Sequence, residues 1–166
     1  WSSDVCSSDL VAATLSKFTF QNLDDLNDPK KAYLLPLATI ALIDLNAFFA
    51  QVEQIRLNLT DQDPVVCAQW NSVIAVSYAS RKFGITRMDT IASCKSKCPN
   101  VIIAHAAVYK KGESHWAYVE GLPAINKHKV SLDPYRRESR KILRVIGKSF
   151  DLTEKASVDE CYIDLG

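Results

Sequence analysis

Residues 39–54, "TIALIDLNAFFAQVEQ", decide how the rest of the chain is read. Thr39 to Ile43 belong to the continuous apolar run "LATIALI" after Pro36, and such a run predicts a strand buried on both faces. Asp44 ends it. Burying a carboxylate without a partner is costly, so the position needs something to hold. From Asn46 the period changes, because Phe48, Val52, Ile55 and Leu59 fall at i, i+4, i+7 and i+11. That spacing predicts one stripe of a helix, with Asn46 as its cap. Asp44 therefore lies at a strand-to-helix junction, and the carboxyl ends of strands are where sites are commonly built.

The chain has 166 residues, 48% hydrophobic and 23% charged, which excludes the disordered and collagen-like classes and suits one domain with a real core. Twenty basic against nineteen acidic residues leave a net charge of +1. Any basic surface must therefore be local. Five cysteines, at 6, 67, 94, 98 and 161, make an odd set without paired short spacings, against a disulfide framework or zinc finger and in favour of a reducing compartment. Ile91, Cys94 and Cys98 form an apolar stripe before Pro99, so the two cysteines read as core and not as metal ligands. No run approaches the ~18 apolar residues of a membrane span, and no secretory signal is visible. Met88 is the single methionine, and "WSSDVCSSDL" has a serine-aspartate bias that the rest of the chain lacks. Residues 1 to about 15 read as a foreign or disordered extension, and the far end reads as cut after "CYIDL".

Further along, "DPVVCAQW" and "SVIAVSY" predict paired strands turning near Asn71, and "SYASRKFG" a short helix ending at Gly84. Residues 61–105 make a small α+β piece. "VIIAHAAV" is one more strand, and 109–130 give no clear period. A helix is expected from Ser131 or Tyr135 to Phe150, with Ile142, Leu143, Ile146 and Phe150 on one side. Arg137, Arg140, Lys141, Arg144 and Lys148 occupy another side, read as a solvated face.

A second acidic cluster lies in "KASVDECYIDLG". Ser157 and Glu160 match a helix capping box, but the residues after them are aromatic and β-branched, which favours strand, tight junction, strand. At such a junction Asp159 and Glu160 can converge on one edge and approach Asp44 if the two strands are neighbours. Three gathered carboxylates repel one another unless cations neutralise them, and hard oxygen donors suit magnesium or manganese. The chemistry suggested is phosphoryl transfer with two metals about 4 Å apart. Asp164 lies about 13 Å along the strand from Glu160 and reads as structural.

"IDLNAFFAQVEQ", "VVCAQWNSVIAVSYASRKFGITRMDT", "HKVSLDPYRRESRK" and "ASVDECYIDLG", in this order, resemble the catalytic core of Y-family DNA polymerases, most closely the eta-type branch. The resemblance covers about residue 16 to the end. It implies an α+β fold, namely a partial polymerase palm of mixed or antiparallel sheet with helices plus a small fingers subdomain, the thumb and little finger being absent. The expected division is 1–15 extension, 16–47 first part of the palm, 48–105 fingers and 106–166 second part of the palm.

By the same resemblance Asp44, Asp159, Glu160 and the backbone carbonyl of Leu45 hold two Mg2+ ions, with Mn2+ an alternative. Leu45 stands where the family often has methionine, a change that a carbonyl ligand tolerates. Phe48 and Phe49 belong to the nucleotide site, Phe48 within the helix core and Phe49 as the steric gate where a ribose 2′-hydroxyl would sit. Tyr78 and Arg81, at i and i+3, match the pair that holds the incoming triphosphate. Arg87 matches the fingers arginine on the nucleotide, and Gln69 and Ile74 match positions over the templating base. The implied partners are primer-template DNA, a deoxynucleoside triphosphate and, through a region outside this chain, the sliding clamp; the implied location is the nucleus. The competing readings are another Y-family branch (kappa, iota or bacterial type), a palm-fold nucleotide cyclase and an inactive DNA-bound scaffold. The cyclase gives no reason for Phe49, Gln69 or the fingers-like segment.

Overall fold

A computed structural model describes residues 19–35 and 38–165. The expected extension 1–15, Pro36 and Leu37 at the start of the first strand, and Gly166 lie outside the described residues. The elements run α1 (Phe20–Leu26), a 3-10 turn (Ala32–Leu34), β1 (Ile40–Asp44), α2 (Phe48–Arg56), β2 (Val65–Gln69), β3 (Ser72–Val76), α3 (Tyr78–Arg81) and α4 (Ile91–Lys97). They continue with β4 (Ile102–His105), β5 (Val108–Lys110), β6 (Trp116–Ala117), β7 (His128–Val130), α5 (Asp133–Ser149), β8 (Thr153–Lys155) and β9 (Glu160–Asp164). Among the described residues the strands form three three-stranded sheets, in the orders β1-β9-β8, β3-β2-β4 and β6-β5-β7.

The first sheet brings the two ends of the chain together. β1 and β9 pair antiparallel from Ile40↔Asp164 to Asp44↔Glu160. One face, including Cys161 and Ile163, is inward, whereas Ile40 and Leu42 are 56% and 51% exposed. β1 is therefore not buried on both faces as its apolar run predicts, because it alternates like a strand of an antiparallel sheet with one open face. Asp44 belongs to that open face and is itself exposed.

The helix after it also departs from expectation. Its N-cap is Ala47, in a left-handed conformation (φ 48°) without a side-chain cap, so Asn46 does not cap it. Instead the Asn46 carbonyl accepts a hydrogen bond from the Gln51 side chain. The helix stops at Arg56, Ile55 is 79% exposed, and its buried positions include Glu53 and Gln54. The predicted stripe thus fails past Val52, because the face turned inward carries polar groups with partners there.

The β2–β3 hairpin forms as expected, with Trp70 in a left-handed turn conformation (φ 56°). Its register slips by one, since Cys67 pairs with Ala75 and Ala68 with Val73, which makes Ile74 the extra residue of a β-bulge. β4 adds in parallel to β2. Val66, Val73, Val76, Ile85, Cys94, Cys98 and Val101 form the core of this piece, so both cysteines are packed as small hydrophobes.

"VIIAHAAV" splits into β4 and β5, and β5 leaves for a different sheet. The segment without a readable period builds that third sheet with β6 and β7, whose strands of two and three residues are too short to show alternation. α5 comes next, with Pro134 in its first turn and its six basic side chains exposed. A second core, of Phe48, Cys67, Ala106 and Tyr135 with Leu45, Phe49, Ile74, Val130, Ile142 and Val158 around it, joins the first sheet to the hairpin.

Candidate active site

Asp44 and Glu160 are register partners at the end of the β1–β9 ladder, and in an antiparallel pair directly opposed side chains share a face. The next residues stay paired, since the Leu45 N–H donates to the Asp159 carbonyl at 2.8 Å. Asp159 lies in the turn between β8 and β9, which closes through the Ala156 and Ser157 N–H groups on the Glu160 carbonyl. The Ser157 hydroxyl donates to Asp159 Oδ1 at 2.7 Å and also accepts the Asp159 N–H at 3.2 Å. The predicted strand, tight junction, strand is present, and Ser157 serves the turn and not a helix cap. Neither Asp44 nor Glu160 has a side-chain hydrogen bond or ion pair to another described residue. Two opposed carboxylates without a cation from the protein are unfavourable by themselves. The Asp159 side chain is tied to Ser157 in the adjoining turn, and among the described residues no three His, Cys, Asp or Glu side chains are drawn together into one cluster. The facing pair nonetheless supplies hard oxygen donors of the kind that magnesium takes through one or two carboxylates.

Immediately after this ladder, α2 presents two phenylalanines in different ways. Phe48 is 5% exposed and packs in the second core. Phe49 is partly buried and stacks on Tyr135 with ring centroids 4.1 Å apart and planes at 16°. It therefore packs against the core more closely than its position off the stripe suggests.

Tyr78 and Arg81 share a face of α3 as their spacing predicts, with the guanidinium carbon 4.6 Å from the Tyr78 ring centroid. Arg81 Nε also donates to the Val76 carbonyl at 3.3 Å, which fixes the side chain near its root. Tyr78 lines a cleft of about 370 Å3 with Ala47, Gln51 and Lys82, between the start of α2 and α3. Lys82 is a cation that the sequence did not single out. Arg87 is exposed in a loop whose neighbours Met88 and Asp89 bond to both backbone groups of Val73 on β3. Gln69 ends β2 opposite Ser72, and the bulged Ile74 packs against the second core.

Two groups of residues escape sequence reasoning. His105 is buried and bridges two loops: its Nε2 accepts the Trp70 N–H at 2.8 Å, and Nδ1 lies 2.7 Å from the Ala106 carbonyl. With Nε2 accepting, Nδ1 carries the proton, and burial lowers the imidazole pKa. The other group surrounds Glu53, which is fully buried and takes Arg56 Nε at 2.7 Å and Nη2 at 2.6 Å on one carboxylate oxygen. The other oxygen accepts the Tyr135 hydroxyl at 2.8 Å and that of Tyr118 at 3.4 Å. The Arg56 guanidinium carbon lies 3.8 Å from the Tyr118 ring centroid. Burial pushes the Tyr118 phenol up to about 12 and the Tyr135 phenol further. No local signal marks this cluster, since Tyr118 and Tyr135 lie 65 and 82 positions beyond Glu53.

A sequence model of the impB/mucB/samB family matches residues 43–166, and the chain belongs to that family. It is 56% identical over 162 residues to DNA polymerase eta of Saccharomyces cerevisiae, covering 92% of this chain and 26% of that protein. It is 44% identical over 150 residues to N-acetyltransferase eso1 of Schizosaccharomyces pombe (90% of this chain, 17% of that protein). DNA polymerase IV of Neisseria gonorrhoeae is 31% identical over 135 residues, covering 79% of this chain and 31% of that protein. A solved structure titled Dbh ternary complex superposes with a TM-score of 0.57 at 23% identity, over 76% of this chain and 30% of that one. That likeness supports the α+β palm-and-fingers fold. The eta-type resemblance is borne out, and the chain spans about a quarter of that relative's length.

Proposed function

We propose that this chain is the catalytic-core portion of a DNA-directed DNA polymerase of the Y family that copies damaged templates. The observation that carries the reading is the opposition of Asp44 and Glu160 at the end of the β1–β9 ladder, with Asp159 in the adjoining turn. Asp44, Asp159, Glu160 and the Leu45 carbonyl would hold Mg2+ or Mn2+, which when bound activates the attacking 3′-oxygen and stabilises the pyrophosphate leaving group. The residues of the chain then position the substrates. Tyr78 and Arg81 hold the triphosphate, with guanidinium geometry suited to phosphate oxygens, and Arg87 adds a contact to the nucleotide. Phe49 excludes the ribose 2′-hydroxyl, and Gln69 and Ile74 lie over the templating base. On this reading the described residues of 16–47 and 106–166 form the palm and 48–105 the fingers.

Primer-template DNA and deoxynucleoside triphosphates are the substrates, the nucleus the site of action, and a sliding clamp the partner, engaged through sequence beyond this chain. No helix among the described residues is long and apolar enough to cross a membrane. The test is primer extension by the full-length protein to which this sequence belongs. Asp159→Ala should abolish extension while DNA binding persists; retained extension would sink the metal assignment. A thymine-dimer template should be copied about as readily as an undamaged one, and stalling at the dimer would favour another Y-family branch.

A further inference from the structure

Phe49 and Glu53 stand at i and i+4 on α2, so they lie on one side of the helix, and Tyr135 from α5 touches both. The tyrosine ring is fully buried and lies nearly parallel to Phe49. Its hydroxyl has one proton, which it donates to Glu53 Oε1 at 2.8 Å. Cys67 Sγ lies 3.2 Å from the same oxygen, so the thiol must be the donor of that contact. Burial pushes the thiol up to about 12, in keeping with a protonated sulfur. A directed chain results, from Cys67 S–H to Tyr135 O–H to the Glu53 carboxylate, closed on the far side by the two nitrogens of Arg56. With its proton and a lone pair both engaged, the phenol cannot turn without breaking a buried bond.

A buried ion pair is a poor way to stabilise a core, since apolar residues of similar volume do as well or better. What it provides here is a direction: it holds one ring plane beneath Phe49. We propose that Glu53, acting through Tyr135, is a positioning residue that fixes the Phe49 ring and thereby sets discrimination between deoxyribonucleotides and ribonucleotides. This rests on the reading of Phe49 as the side chain that meets the sugar. Glu53 touches no substrate. Its influence passes through the stack alone.

The experiment measures kcat/KM for a deoxynucleoside triphosphate and for the matching ribonucleoside triphosphate, in the full-length protein, and takes their ratio. Phe49→Ala should lower the ratio by roughly 100-fold or more, and Glu53→Gln by roughly tenfold, the scale of differential transition-state contacts. Tyr135→Phe keeps the ring and its volume while removing only the hydroxyl, and should lower the ratio about threefold to tenfold. It decides the matter if Glu53→Gln fails to fold. In a Phe49→Ala background neither change should lower the ratio further. A purely structural role would depress both substrates alike and leave the ratio where it was. An unchanged ratio in Tyr135→Phe and in folded Glu53→Gln, with the ratio lost in Phe49→Ala, overturns the inference alone. An unchanged ratio in Phe49→Ala overturns the sugar reading and the inference together.

Discussion

Two carboxylate centres lie on either side of the β1–α2 junction, and they are built on opposite principles. Glu53 is fully buried and has both oxygens engaged, by Arg56, Tyr135 and Tyr118. Asp44 is exposed, faces Glu160 across an antiparallel ladder, and neither takes a hydrogen bond or ion pair from a described side chain. An acid whose partners come from the protein leaves them stranded when it is removed, so its loss weakens the fold. Two acids that face each other weaken it slightly, and such an arrangement makes sense where a cation is to bind. Neutralising one centre should therefore do the reverse of neutralising the other.

The largest effect separates the two centres by activity. Asp44→Ala should reduce primer extension by at least about 10³-fold, some ~4 kcal/mol of transition-state stabilisation, without loss of the fold. A variant that still extends would place the metal ligands elsewhere. Next comes stability: Glu53→Ala strands Arg56, whose side chain remains 31% exposed, and should cost about 2–3 kcal/mol, below the roughly 3–5 of a fully buried pair. An unchanged urea midpoint would show that the Glu53 network does not hold the fold.

A pH titration probes a third group belonging to neither centre. The folded pKa of His105 lies below the ordinary histidine value of 6.5, so the unfolded chain takes up its proton first as pH falls. Stability should be complete above about pH 6.5 and decline below it, as protonation removes the acceptor of the Trp70 N–H. His105→Gln should flatten that decline in urea midpoints measured across the range; an equal decline in both proteins would exclude His105 as its source. The smallest effect is the most diagnostic. Asp44→Asn should raise stability by about 0.2–1 kcal/mol through relief of like-charge opposition, and a loss instead would reveal a stabilising role for the Asp44 charge.

Elements with strong local chemistry are legible in the sequence. The β2–β3 hairpin, the long helix α5 and the turn before β9 are expected where they occur, and α3 is expected too, although it ends at Arg81 and a turn carries the chain on to Gly84. Local spacing fails where partners lie far away. β1 reads as doubly buried, yet Ile40 and Leu42 are exposed, because a run of apolar residues cannot reveal that only one side of the sheet is covered. The helical stripe through Ile55 and Leu59 gives way to Glu53 and Gln54, since a buried acid is tolerated only when residues such as Arg56 and Tyr135 satisfy it. The third sheet is invisible because its strands are too short to show a period.

For the site, the sequence determined which groups are available: three acids in two blocks, a phenylalanine after the first, and a tyrosine and arginine one helical turn apart. Tertiary structure alone decided that Asp44 opposes Glu160 and not Asp159, that Phe49 lies on Tyr135, and that Glu53 is held by Tyr135 and Arg56. The physical reason is the range of the forces. Charge, side-chain shape and local period are properties of neighbouring residues, whereas register, burial and stacking depend on segments that meet only after the chain has folded.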